Sequence, residues 1–172
     1  PGDRVAYVGG PPGAYATERN VPAARALKVP DGLSDDVVAA TIFKGLTAEY
    51  LTHRCFDVQV GDTVLFHAAA GGVGSIACQW LKAKGARVIG TVGSEAKARL
   101  ALSNGCDEVI LYRQQDFAAR IRELTDGTGV HVAYDSVGAD TFAGSLKSLR
   151  PRGLLVSFGE ASGPVPPVDI AQ

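Results

Sequence analysis

Methionine is absent from the 172-residue chain, and cysteine, histidine and tryptophan occur only three, three and one times. Without methionine there is no initiator, and the opening Pro1-Gly2-Asp3-Arg4-Val5 reads as a turn entering a strand, so the expectation is a piece of a longer polypeptide. Cys55, Cys78 and Cys106 lie far apart, which excludes a disulfide framework and a zinc-ligand spacing. His53, His67 and His131 show no ligand spacing either. The expected metal content is none, and the expected thiols are reduced, as in a cytoplasmic protein. No apolar run reaches the ~18 residues of a membrane span, and no signal-peptide pattern opens the chain. Lys and Arg number 17 against 18 Asp and Glu, with no block of one sign, so neither nucleic acid nor an anionic membrane is an expected partner.

What is present is enough for a packed core: hydrophobic residues make up 46% of the chain. Residues 1–38 are broken by Pro1, Pro11, Pro12, Pro22 and Pro30 and by several glycines, with short apolar stretches Arg4–Val8 and Ala26–Val29 between them. They read as strand and loop at the end of an all-β unit, with a second domain over 39–172. Ser34 can cap a helix whose first turn carries Asp35 and Asp36, and Thr47–Arg54 reads as a separate helical stretch.

From residue 61 strands and helices alternate. The expected strands are Thr63–Ala69, Arg87–Val92, Glu108–Leu111, Val130–Val137 and Leu154–Phe158; the expected helices are Ser75–Lys84, Glu95–Asn104, Asp116–Thr125 and Thr141–Leu149. The first strand has no polar face, as in a sheet covered on both sides. The pattern predicts a doubly wound α/β sheet, a Rossmann fold, with strand order 3-2-1-4-5 and a sixth strand beyond Gln172.

The strongest motif is Ala69-Ala70-Gly71-Gly72-Val73-Gly74, which leaves a strand and opens a helix, the setting a dinucleotide fingerprint requires. Gly71 lets the backbone approach a pyrophosphate, Gly74 lets helix and strand pack closely, and the N–H groups of the first turn face the phosphates. Ala69 stands where the first glycine of G-x-G-x-x-G would be. NAD-binding folds carry an acid roughly 20 residues after this loop to hold the ribose 2′-hydroxyl. Here the position falls at Gly93-Ser94, with no carboxylate at the tip and Lys97 one turn on, which favours the 2′-phosphate of NADPH. Glu95 reads as a first-turn acid that stabilises its helix. The competing reading of Lys97 is a solvated surface lysine.

Lys44-Gly45-Leu46-Thr47, Phe66–Gly74, Gly90-Thr91-Val92-Gly93, Tyr134-Asp135-Ser136-Val137-Gly138 and Val156-Ser157-Phe158-Gly159 together resemble the zinc-free NADPH:quinone oxidoreductases related to zeta-crystallin, in the medium-chain dehydrogenase/reductase superfamily. The resemblance runs over essentially the whole chain. It implies that residues 1–38 end an upstream GroES-like domain. It places Gly72 and Val73 at the pyrophosphate, and Gly93, Ser94, Lys97 and Tyr112 at the 2′-phosphate. Ser136 and Val137 fall on the ribose and adenine side, and Thr47, Phe158 and Gly159 near the nicotinamide. For Tyr112, Ser136 and Phe158 ordinary packing is the competing reading. Lys44 matches the position of a catalytic zinc-binding cysteine in zinc-dependent relatives and cannot supply a thiolate. The function implied is hydride transfer from NADPH to a quinone or similar conjugated acceptor, by a cytoplasmic homodimer, with no catalytic residue assigned in this chain. Two alternatives stay open: an enoyl or alkenal reductase of the same superfamily, free-standing or from a polyketide synthase, and a non-catalytic, crystallin-like nucleotide binder.

Overall fold

The computed structural model describes residues 2–168; Pro1 and the last residues of the chain, 169–172, lie outside it. Packing divides the chain into two compact units, Pro1–Leu46 and Thr47–Gln172. In the first, β1 (Val5–Ala6) pairs antiparallel with β2 (Leu27–Lys28), in keeping with the strand-and-loop reading of this segment. The Arg4 guanidinium donates to the Asp35 carboxylate and to the Leu33 carbonyl, both at 2.6 Å.

α1 (Asp35–Glu49) begins after Ser34, whose hydroxyl accepts the Val37 N–H at 3.4 Å. The separate helix expected from Thr47 does not form as such. α1 runs without a break through Gly45 to Glu49 and widens into a π turn over Tyr50–Cys55. No residue between 35 and 55 removes a backbone donor, so nothing interrupts the ladder; a glycine costs a helix only about 1 kcal/mol. The turn ends where the Leu51 carbonyl takes the Phe56 N–H and the buried Tyr134 hydroxyl, the latter at 2.9 Å.

The second unit is a five-stranded parallel sheet with order β5-β4-β3-β6-β7, the expected 3-2-1-4-5. The strands are β3 (Thr63–Phe66), β4 (Arg87–Val92), β5 (Glu108–Leu111), β6 (Val130–Asp135) and β7 (Leu149–Ser157), and the helices are α2 (Gly72–Ala83), α3 (Glu95–Ser103), α4 (Phe117–Leu124) and α5 (Phe142–Ser148). Both faces are buried with period two. Val64, Phe66, Val88, Val132 and Tyr134 pack on one side with Ala77 and Leu81 of α2. Leu65, Ile89, Ile110 and Ala133 pack on the other with Ile121 of α4. Each such aliphatic side chain contributes about 1.5–3 kcal/mol on burial. Gly85, with φ +82°, follows α2 and stops it.

Three strands differ in their limits from expectation; β6 ends at Asp135 rather than Val137, where the Asp135 carboxylate takes the Val137 and Gly138 N–H groups. β3 stops at Phe66 because Ala68 takes a left-handed conformation, φ 51°, an unusual state for alanine that costs on the order of 1–3 kcal/mol and turns the chain toward α2. β7 begins at Leu149 because Pro151, Arg152 (φ 62°) and Gly153 bulge out between the pairs Val130–Leu149 and Val132–Leu154. Among the described residues no strand follows β7. No helix among them is long and apolar enough to cross a membrane.

Candidate functional site

The turn from β3 to α2 is built by close contact. At Gly74 a Cβ would lie 2.5 Å from the Ala68 carbonyl oxygen and 2.6 Å from that of Ala69, so only glycine lets α2 start this near the strand. Gly71 precedes the helix with φ −80° and ψ 177°, an ordinary extended conformation, and a Cβ there would meet the Ala68 oxygen at 3.0 Å. The alanine in place of the first glycine is accommodated by the neighbouring strand. Ala69 is fully buried, and its methyl together with the Cys106 thiol occupies the space a Cβ at Gly90 would take. Gly71 N–H is used internally, to Ala68 O at 2.8 Å. The N–H groups of Gly72, Val73 and Gly74 have no partner among the described residues, and no side chain caps the helix. Three converging donors at a helix N-terminus fit an anionic phosphate group.

The tip of β4 lies at the same end of the sheet. Ser94 caps α3, its hydroxyl accepting the Lys97 N–H at 3.4 Å, and Glu95 stands in the first turn. Lys97 is exposed, and its ammonium has no partner among the described residues. Tyr112 and Arg113, which follow β5, crowd Gly93: a Cβ there would sit 2.9 Å from the Tyr112 hydroxyl and 3.3 Å from Arg113 Nε. Sequence reasoning missed Arg113, which adds a second cation at a strand tip that carries no carboxylate. The signal that could have found it is its place just beyond the neighbouring strand.

Between the tips of β3, β4, β5 and β6 lies a cleft of about 530 Å³. Ala68, Thr91 and Tyr112 line one part; Val137, Asp140 and Thr141, with Ser162 from the loop after β7, line the other. Of the expected site residues, Tyr112 and Val137 therefore share this cleft, and Gly93 packs against Tyr112. Ser136 supports it, its carbonyl accepting the Ala161 N–H at 3.2 Å, and Gly159 lies against the Ser136 backbone. Phe158 donates its N–H to Asp135 O at 2.8 Å and packs its ring 6.0 Å from Phe66, so it is part of the core edge as well. Thr47 is half-buried in the last turns of α1. Lys44 donates to the Ala40 carbonyl at 3.0 Å.

Beneath the cleft runs a buried polar chain that sequence reasoning did not assemble. Asp135 Oδ1 accepts from the Val137 and Gly138 N–H groups and from the Thr141 hydroxyl at 2.9, 3.1 and 2.8 Å, and Oδ2 accepts from Ser145 at 2.7 Å. Burial alone would raise the Asp135 pKa, but the hydrogen bond from Ser145, His67 and the remaining donors hold it below the ordinary carboxylate range. The Ser145 proton is committed to Asp135, so His67 Nε2, at 2.9 Å, is the donor to Ser145. Nδ1 then accepts from Thr91, at 2.8 Å. Burial pushes the His67 pKa down to about 4, so the ring is neutral and packed. The Cys78 thiol, hydrogen-bonded to Cys106 and buried, is pushed far above the usual thiol range and is no nucleophile. Among the described residues no three His, Cys, Asp or Glu side chains are grouped to hold a metal.

A glycine turn with free helix donors, a cleft beyond the strand tips and a basic second-strand tip define a dinucleotide-binding α/β domain. The zinc-binding dehydrogenase family profile matches residues 72–172, and the chain belongs to that family, within the medium-chain dehydrogenase/reductase superfamily. It is 52% identical to a Pseudomonas aeruginosa quinone oxidoreductase over 98% of this chain and 52% of that protein. It is 49% identical to a Burkholderia 2-haloacrylate reductase over 99% of this chain and 52% of that one. The crystal structure of Escherichia coli quinone oxidoreductase complexed with NADPH superimposes with a TM-score of 0.95 at 48% identity, covering 99% of this chain and 52% of that one. The chain spans about half the length of the curated relatives it matches.

Proposed function

We propose that this chain is the cofactor-binding part of an NADPH-dependent oxidoreductase that transfers hydride to a quinone or a similarly conjugated acceptor. The observation that carries the cofactor choice is the β4 tip: Lys97 and Arg113 flank Gly93-Ser94, and the position that holds the ribose 2′-hydroxyl in NAD-binding folds carries no carboxylate, the nearest acid being Glu95 in the first turn of α3. The residues present fit NADPH: Gly72, Val73 and Gly74 would hold the pyrophosphate with their free N–H groups, and Gly71 leaves room for it. Gly93, Ser94, Lys97, Tyr112 and Arg113 would hold the 2′-phosphate end, and Ser136 and Val137 would line the ribose and adenine. Thr47, Phe158 and Gly159 would stand toward the nicotinamide. When bound, NADPH supplies the hydride; the chain's own work is to fix the dinucleotide and keep the phosphates on the helix dipole.

The quinone acceptor rests on likeness to the Pseudomonas and Escherichia oxidoreductases. A conjugated acid acceptor is the second reading, favoured by comparable identity to the 2-haloacrylate reductase. Acceptor kinetics on the full-length protein separate the two. The proposal includes a cytoplasmic location, no zinc requirement, neither nucleic acid nor membrane as partner, and a homodimer. It keeps the two-domain division, with residues 1–38 ending an upstream β-rich domain and 39–172 binding the cofactor.

The test is titration of the chain with NADPH and NADH. NADPH should bind roughly tenfold or more tightly, the worth of one charge-assisted contact, and Lys97→Ala should remove most of the difference. Equal affinities in the parent protein overturn the proposal.

A further inference from the structure

The strand tips carry opposite charge at the two sides of the sheet. Lys97 and Arg113 follow β4 and β5, whereas the loop after β7 carries Glu160. That loop is clamped to the loop after β6. Ala161 and Ser162 donate their N–H groups to Ser136 O and Val137 O at 3.2 and 2.7 Å, and Ala139 donates back to Gly163 O at 3.1 Å. A turn inside the loop closes with the Gly163 N–H on Glu160 O at 3.0 Å. The fit requires a glycine opposite: at Gly138, φ +92°, a Cβ would meet Gly163 O at 2.5 Å and Glu160 Cα at 3.0 Å. The Glu160 backbone is thus fixed against the tip of β6. Its side chain is exposed and makes no hydrogen bond or ion pair among the described residues. A carboxylate without a counter-ion there keeps its full field.

The sheet order is β5-β4-β3-β6-β7. A dinucleotide with its 2′-phosphate at the β4 tip and its pyrophosphate on α2 runs its other end toward β6 and β7, and the hydride acceptor must meet it there. We propose that Glu160 sets the charge of the acceptor: its carboxylate disfavours an acceptor that is itself negatively charged and so selects a neutral quinone or enone. The inference rests on the NADPH oxidoreductase reading and deepens it, choosing the neutral acceptor over the conjugated acid. Two like charges about 8 Å apart at a protein surface bias a rate by roughly three- to thirtyfold. Salt at about 1 M, where the Debye length is about 3 Å, removes the effect.

The experiment follows NADPH oxidation by the full-length protein with naphthoquinone and with naphthoquinone sulfonate, which adds one negative charge. The ratio of kcat/KM, sulfonate over neutral, is compared between the parent and Glu160→Gln, so that the acceptors' own reactivities cancel. In Glu160→Gln the ratio should rise at least about threefold at about 0.01 M salt, and the rise should vanish at about 1 M. Glu160→Lys should raise the ratio further. The Glu160 side chain has no partner in the described fold, so Glu160→Gln should melt like the parent. An unchanged ratio in Glu160→Gln, or a rise that persists at about 1 M salt, overturns this inference alone. Reduction of neither acceptor overturns the oxidoreductase reading and this inference with it.

Discussion

Replacing Gly74 with alanine separates the packing role of the glycine turn from its ligand role when it is set beside Gly71→Ala. The new methyl at 74 would lie 2.5 and 2.6 Å from two carbonyl oxygens and 2.8 Å from the Ala69 carbonyl carbon. That is roughly 1 Å inside ordinary non-bonded contact, and the atoms met are backbone. They have little room to retreat: Ala69 N–H is held by Thr91 O at 3.2 Å, Ala68 O accepts from Gly71 at 2.8 Å, and Ala69 is fully buried. The start of α2 must therefore move off the sheet. Overpacking of this kind costs about 1–3 kcal/mol, which in a chain of this size lowers Tm by roughly 3–10 °C. At Gly71 the closest approach is 3.0 Å and the backbone suits any residue, so Tm should stay within about 2 °C of the parent. NADPH affinity should fall at least about tenfold in both, because Gly74→Ala displaces the three free donors and Gly71→Ala puts a methyl where the phosphates approach. Thermal melting followed by circular dichroism and calorimetric titration measure the two effects. Equal losses of Tm, or undiminished affinity in Gly74→Ala, would refute the reasoning.

The remaining predictions concern acid stability, zinc and association. His67 titrates near 4 in the fold against ~6.5 unfolded, so between those values the unfolded chain binds more protons and stability rises with pH. The full contribution is present above about pH 6.5 and is lost on acidification toward pH 4, up to about 3 kcal/mol; His67→Leu should be less stable at neutral pH but flatter across this window in urea unfolding, and an unchanged slope refutes the assignment. Asp135, held below the ordinary range, keeps its contribution until lower pH. Elemental analysis of full-length protein should find substoichiometric zinc, and one tightly held zinc per chain would contradict the reading of Lys44. Among the described residues β7 is the edge strand, with Leu154 exposed, so sedimentation of the chain should reveal dimers that Leu154→Lys weakens; a strictly monomeric parent at high concentration removes the basis for edge pairing.

The order of the sheet was legible because each βα unit carries its own local signals. Apolar strands such as Arg87–Val92 and the glycines after α2 and α3 specify elements, and right-handed crossovers then leave one order. The glycine turn was legible for the same reason: Gly74 is demanded by atoms five and six residues away. Where the outcome depended on partners distant in the chain, the sequence was silent. Ala69 in place of a glycine is explained only by Gly90 and Cys106 across the strand. Arg113 reaches the β4 tip only because β5 lies beside it, and the bulge in β7 follows from its register against β6. The His67–Ser145–Asp135 chain joins residues 78 and 10 positions apart, and no periodicity links them. Local propensity and pattern thus determined which elements form and in what order. Only tertiary structure decided which polar groups meet at the strand tips, because hydrogen-bond partners there are set by distances across the sheet and not along the chain.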